Sequence, residues 1–223
     1  MRAFVFFKFR KQAHVFGDSR RRGVARHYKS SLFHIALSHA KIEPMPTPGK
    51  RWYHITFGTL NSWLPGDPRG FRSRNHKIHS SGDQKNPPPK GEHAGLHAYS
   101  RSVSGSPVLL PKPLRQSIGD RVVSSLTQHG DRILVISVSA MHVHLLAELS
   151  SDAVQTKLVI GNAKKSASQA IGDALPSRVW SRDCGIKPIR DEEHHRNTYL
   201  YIEKHALEGA FVWTYRDGTD SSG

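Results

Sequence analysis

Two apolar runs with almost nothing between them constrain this chain more than any other feature. Asp131 to Ser139, carrying Arg132-Ile133-Leu134-Val135-Ile136-Ser137-Val138, is a near-continuous β-branched stretch, and Met141 to Leu149 follows at once. Runs of this length and composition read as buried strands, and so short a link lets them pair as a hairpin. The remaining elements have to be arranged around that pair. Trp52-Tyr53-His54-Ile55-Thr56-Phe57-Gly58-Thr59-Leu60 is aromatic and β-branched and reads as a first strand. Pro111 to His129 sets Leu114, Ile118, Val122, Val123 and Leu126 at helical spacing behind an early proline. Asp152 caps a second helix running to about Leu175, and Val179 opens a short extended segment reaching Ile189. Asp191-Glu192-Glu193 puts acids at the positive end of a last helix that continues to about Glu208, with Gly209 as its stop. The order is strand, helix, strand, strand, helix, strand, then an extra helix. It predicts an α+β, ferredoxin-like (RRM-like) split βαβ antiparallel sheet, with helices on one face and an additional C-terminal helix.

Charge narrows the function classes. Among 223 residues, Lys and Arg number 33 against 18 Asp and Glu, a formal charge of +15, and such an excess usually serves a polyanionic partner. Nucleic acid leads and an anionic membrane surface trails; no stretch approaches the roughly 18 apolar residues of a membrane helix. Ala3-Phe4-Val5-Phe6-Phe7 is too short for the apolar core of a signal peptide, and the lone Cys184 can form no internal disulfide, so a soluble cytoplasmic protein is expected. Residues 1–44 hold ten Lys or Arg against Asp18 and Glu43 and read as a basic, disordered arm. Two other readings stand beside that one: a start at Met45 with the preceding segment not genuinely translated, or an organelle transit peptide. A single domain is expected over 45–215, with a long Gly-, Pro-, Ser- and His-rich insertion at about 66–106 and a tail at 216–223.

His142-Val143-His144 lies on a predicted strand, where alternate side chains share a face, so both imidazoles point one way and present two ligands to one metal. An isolated His-x-His pair is also what a half-buried strand satisfied by its neighbours presents. The last helix adds a second signal, since Tyr201 and His205 are four residues apart and lie on one helix face, co-presenting a nucleophile and a ligand. Tyr199 is rotated about 200° from Tyr201 and cannot share that geometry. Arg69, Arg72, Arg74, Lys77 and Lys85 surround Trp63 and Phe71, combining phosphate attraction with rings on which bases can stack; an ordinary solvated basic loop fits equally well. His76, His79, His93 and His97 are not taken as a metal cluster, because such spacings arise easily in a chain with 15 histidines. His194 and His195 point about 100° apart on a helix and make no joint site.

These residues resemble the single-tyrosine HUH transposases, a family that includes the REP-associated tyrosine transposases of bacteria. The resemblance spans Trp52 to Trp213. It rests on Trp63-Leu64-Pro65-Gly66-Asp67-Pro68-Arg69-Gly70, on Met141-His142-Val143-His144-Leu145-Leu146, and on Ile189-Arg190-Asp191-Glu192-Glu193 leading to Tyr201-Ile202. It implies that His142 and His144 bind the catalytic metal and that Tyr201 attacks a phosphate of single-stranded or hairpin DNA. The residue four beyond that tyrosine is often a third ligand in the family, commonly Gln, and REP-associated members carry Tyr-Ile-x-x-Asn-Pro. This chain has Tyr201-Ile202-Glu203-Lys204-His205-Ala206, and imidazole is a competent ligand. Relatives include homodimers in which one subunit's tyrosine serves the other's metal, and nothing in these residues chooses between monomer and dimer.

The chemistry follows from the residue types. A free phenol has a pKa of about 10 and needs activation to attack a phosphodiester. A divalent cation can supply it by polarising the phosphate. Hard oxygen ligands favour Mg2+, whereas imidazoles shift preference toward Mn2+ and other transition ions. Three rivals stay open: a non-catalytic nucleic-acid-binding module, an inactive transposase remnant, and a phosphoesterase using His142 and His144 without a covalent intermediate.

Overall fold

In the computed structural model of the chain, the described residues are 45–71, 79–82, 86, 88–175 and 178–215. The expected basic arm at 1–44, the tail at 216–223 and the DNA-binding candidates Arg72, Arg74 and Lys77 lie outside them.

Five strands form one antiparallel sheet: β1 (Lys50–Gly58), β2 (Arg132–Val138), β3 (His142–Ser150), β4 (Gly185–Pro188) and β5 (Phe211–Thr214). Their spatial order is β4-β1-β3-β2-β5. The first four therefore have the ferredoxin-like order, and the fold is α+β as the element pattern predicts. The β2–β3 hairpin closes through Ser139, whose backbone N–H and hydroxyl both donate to His142 O at 2.9 Å.

Alternation along the strands divides the sheet into two faces. Tyr53, Ile55, Phe57, Val143, Leu145, Ile136 and Val138 point to one face. There they pack with Ile118, Val122 and Leu126 of α2 (Lys112–Gln128) and with Val159, Ile160 and Ala163 of α3 (Ala153–Ile171) in the main core. The α3 start is capped as expected, the Asp152 carboxylate accepting from Val154 N–H at 2.7 Å. The opposite face carries a smaller cluster of Trp52, Val135 and Leu146, on which Ile202 of α4 (Glu192–Lys204) docks, with Tyr199 partly buried beside it. Two helices thus cover one face and the additional C-terminal helix covers the other.

Two elements depart from the sequence expectations. Within the stretch expected to be irregular lies α1 (Ala94–Ser104). Its Gly95 and serines lower its helix propensity, it has no side-chain N-cap bond, and Ser100 is its one buried residue, so neither propensity nor apolar periodicity marks it. The second is β5, absent from the expected order. Its four residues are held by pairing to the outer edge of β2, with Phe211 and Trp213 packed against the main core. Gly119 on α2 lets β5 approach, since a Cβ there would come within 2.5 Å of the Phe211 ring.

Candidate metal centre

The second face of the sheet gathers histidines by register. Thr56 of β1 stands opposite His144 of β3, which stands opposite Ser137 of β2, and His142 stands opposite Gly58. His142 and His144 therefore share this face, as a strand places residues two apart. Tyr201 of α4 and His205, the residue just after that helix, descend onto this face, the helix start being fixed by the Asp191 side chain accepting from His194 N–H at 2.7 Å. The helix tightens into a short 3-10 turn, His205–Glu208, and stops at Gly209 in the left-handed region, φ 77°. Arg115 of α2 donates to Gly209 O at 2.8 Å and ties that end down.

The side chains meet. One nitrogen from each of His142, His144 and His205 lies within 4.8 Å of the others. This is the one group of three or more potential ligands found among the described residues. The rings of His144 and His205 stack with centroids 4.8 Å apart, and His142 stands edge-on to His144 at 4.9 Å. Tyr201 closes the group edge-on, 4.8 Å from His205 and 5.5 Å from His144.

The donor set suits a metal ion. His205 Nδ1 sits 3.2 Å from Ile202 O, with Ser137 Oγ 3.4 Å from the same nitrogen. A carbonyl only accepts, so Nδ1 carries the proton and Nε2 keeps a free lone pair. Burial, followed by the neighbouring histidines and Lys187, pushes the His144 pKa down to about 2. His142 is also lowered, by burial first and then by His205 and Arg69. Both are neutral at physiological pH, the form in which imidazole ligates. Nitrogens bound to one ion at roughly 2.1 Å lie no more than about 4.2 Å apart, so a small side-chain adjustment suffices to close the trio.

A fourth histidine belongs here that sequence reasoning missed. His54 Nε2 lies 3.1 Å from His144 Nδ1, a hydrogen bond whose donor depends on the tautomer, and the two rings stack at 5.3 Å. His54 also meets the Tyr201 ring edge-on at 5.9 Å. The strand β1 offers only one histidine, and its significance comes from the β1–β3 register, which no local spacing reports.

His142, His144 and His54 line a cleft of about 860 Å³, while His205 is buried behind them. Tyr201, 45% exposed, and Trp63, 49% exposed, also line it. Trp63 is not packed beneath the sheet: its Nε1–H donates to Gly70 O at 2.7 Å, which holds the indole in place. Arg69 stacks over that indole at 4.3 Å and donates to both Asp67 carboxylate oxygens and to Ser62 O. Its guanidinium thus braces the loop that carries Trp63. Arg182 and Lys187 line the cleft as well, Lys187 standing opposite His54 across β1–β4; neither stood out in the sequence.

Other expected positions fall outside the site. Tyr199 packs with Trp52 and Leu146, away from the histidine trio. His195 packs edge-on against Trp52 at 5.0 Å, and the His194 ring accepts from Arg190 N–H, so the two do not act together. His93 meets Phe71 edge-on at 5.0 Å.

No protein-family model and no curated protein matches the sequence. Among solved structures the chain is similar to a REP-associated tyrosine transposase bound to a REP hairpin, at 12% identity and a TM-score of 0.41, over 74% of this chain and 72% of that one. No helix among the described residues is long and apolar enough to cross a membrane.

Proposed function

We propose that this chain is a single-tyrosine transposase of the HUH type. In this reading it cuts and rejoins single-stranded DNA through Tyr201, with a divalent metal held by His142, His144 and His205. The observation that carries the reading is the convergence of one phenol with three imidazoles on one sheet face, at ring separations of 4.8 to 5.5 Å for Tyr201.

The residues divide the work. His142, His144 and His205 would hold Mg2+ or Mn2+, the all-nitrogen set favouring Mn2+ and abundance favouring Mg2+. Bound there, the ion supplies Lewis-acid polarisation of the phosphate and charge neutralisation on its oxygens. Burial, with the Glu208 carboxylate adding to it, raises the Tyr201 pKa, so the phenol enters protonated. Its Oη attacks phosphorus, forming the O–P bond while the bond to the 3′ oxygen breaks. The phenolic proton passes to water and the leaving 3′ oxygen takes one up, so the exchange is proton-neutral. The product is a 5′-phosphotyrosine and a free 3′ hydroxyl, and the retained ester bond energy lets another 3′ hydroxyl reverse the step without ATP. Lys187 and Arg182 supply positive charge along the cleft, and Trp63 offers a face on which a base can stack.

The partner in this reading is a single strand or hairpin flanking a mobile element, with residues 45–215 as the catalytic unit. Incubating the protein with labelled single strands and Mn2+ tests it. A denaturant-resistant protein–DNA adduct, lost in Tyr201→Phe with binding retained, is the expected result. Binding without any adduct would leave a non-catalytic binder or an inactive remnant, and cleavage without an adduct would leave a histidine phosphoesterase.

A further inference from the structure

His54 lies against the trio without belonging to the group whose ligand atoms fall within 4.8 Å. Its Nε2 faces His144 Nδ1 at 3.1 Å, and its ring stacks on that of His144 with planes 28° apart. The backbone sets this contact. His54 and Thr56 share a strand face, Thr56 is the cross-strand partner of His144, and His54 is the diagonal neighbour on the same side.

One proton lies between the two facing nitrogens of such a contact, and which ring carries it has a chemical consequence. If His54 donates, His144 Nδ1 accepts and the His144 proton sits on Nε2, which then has no lone pair for an ion. If His144 donates from Nδ1, its Nε2 lone pair is free, the state that Ile202 O imposes on His205. His54 is partly buried, and its Nε2 is the atom that faces His144 Nδ1, the placement an acceptor requires.

We propose that His54 is a positioning residue of the metal centre: its Nε2 accepts the Nδ1–H of His144, fixing the tautomer and ring orientation that leave His144 Nε2 free to bind the ion. The proposal rests on the reading of His142, His144 and His205 as metal ligands. Histidine ligands commonly donate their second N–H to a carboxylate or carbonyl, and losing such a partner typically weakens metal affinity by about 10- to 100-fold. An imidazole fills that role here.

The test uses the full-length, DNA-free protein and Mn2+ alone, titrated by the loss of the free-ion paramagnetic resonance signal. His54→Leu removes the acceptor, and His54→Gln restores one through its side-chain carbonyl. His54→Leu is expected to bind Mn2+ about 10- to 100-fold more weakly, with His54→Gln recovering most of the loss. In metal-free protein labelled with 15N-histidine, His144 is expected as the Nδ1–H tautomer in wild type and His54→Gln, shifting toward Nε2–H in His54→Leu. Wild-type affinity in His54→Leu, or equal weakening in both variants with the His144 tautomer unchanged, would overturn the proposal. A wild-type protein that binds Mn2+ no better than His142→Ala would overturn the metal-centre reading itself, a result distinct from failure at His54.

Discussion

Tyr201 and His144 belong to different elements, yet their rings meet edge to face, with centroids 5.5 Å apart and planes at 86°. Strand pairing fixes His144, whereas Tyr201 is placed by the docking of α4 through the fully buried Ile202. The position of the phenol is thus a packing outcome. Ile202→Ala is expected to cost about 2 to 5 kcal/mol of stability. At saturating Mn2+ its adduct formation should fall by a larger factor than its Mn2+ affinity, because β3 still presents His142 and His144. Denaturant unfolding, a Mn2+ titration and single-turnover adduct rates check this.

Removing a proposed ligand should separate metal binding from folding. His142 is half-buried and absent from both apolar clusters, its ring meeting those of His144 and His205, so His142→Ala should shift stability of the metal-free protein by no more than about 1 kcal/mol. Its Mn2+ affinity should fall at least tenfold; Mn2+ is expected to raise the melting temperature of the wild type, and to raise that of His142→Ala less. Melting curves with and without the ion measure both.

Acid should destabilise the metal-free protein in a defined window. His54 is held at about 4, His144 at about 2, and His142 and His195 are also lowered from 6.5. The unfolded chain takes up protons below pH 6.5 that the folded chain refuses, so this stability is fully present above 6.5 and is lost as pH falls, down to about 4 for His54 and about 2 for His144. Each group contributes at most about 1.4 kcal/mol per pH unit before solvent screening. Melting temperature measured from pH 8 to 5 should be flat and then fall, with a shallower decline in His144→Asn.

Trp63 should matter for single strands and not for folding. An exposed indole held by one hydrogen bond offers stacking worth roughly 1 to 3 kcal/mol per base, so Trp63→Ala should weaken single-strand binding by about 5- to 150-fold. Duplex affinity should change little. Fluorescence anisotropy with both substrates, at one stated salt concentration, distinguishes the two effects.

Gly66 marks where the Trp63 loop meets α1. Its φ is +83°, and a Cβ there would come within 2.4 Å of the His97 backbone nitrogen. Gly66→Ala should cost roughly 2 kcal/mol or more, whereas Gly91→Ala, with φ +87° but nothing within 4 Å, should cost only about 1 kcal/mol. Chemical denaturation of the two variants supplies the comparison.

What could be read in advance depended on how local its cause is. The β2–β3 hairpin was legible because its apolar runs sit side by side in the chain, and His142 with His144 followed from strand alternation. His205 was legible from its four-residue spacing to Tyr201. β5 was not, because its pairing to β2 joins Phe211–Thr214 to residues far away in sequence. α1 was hidden by Gly95 and its serines, and by the lack of an apolar stripe. His54 escaped notice for the same reason as β5, since its partner lies across the β1–β3 register. Arg69 read as a phosphate contact, and only the folded loop reveals how firmly Asp67 and Trp63 engage it.

The decisive measurement is the site of covalent attachment. Protein loaded with Mn2+ is incubated with a pool of hairpin-bearing single strands, digested with protease and nuclease, and mapped by mass spectrometry. A nucleotide 5′ phosphate carried by Tyr201 is the predicted result. Attachment at Tyr199 or another residue, or no attachment under conditions where Mn2+ and DNA are both bound, would contradict it.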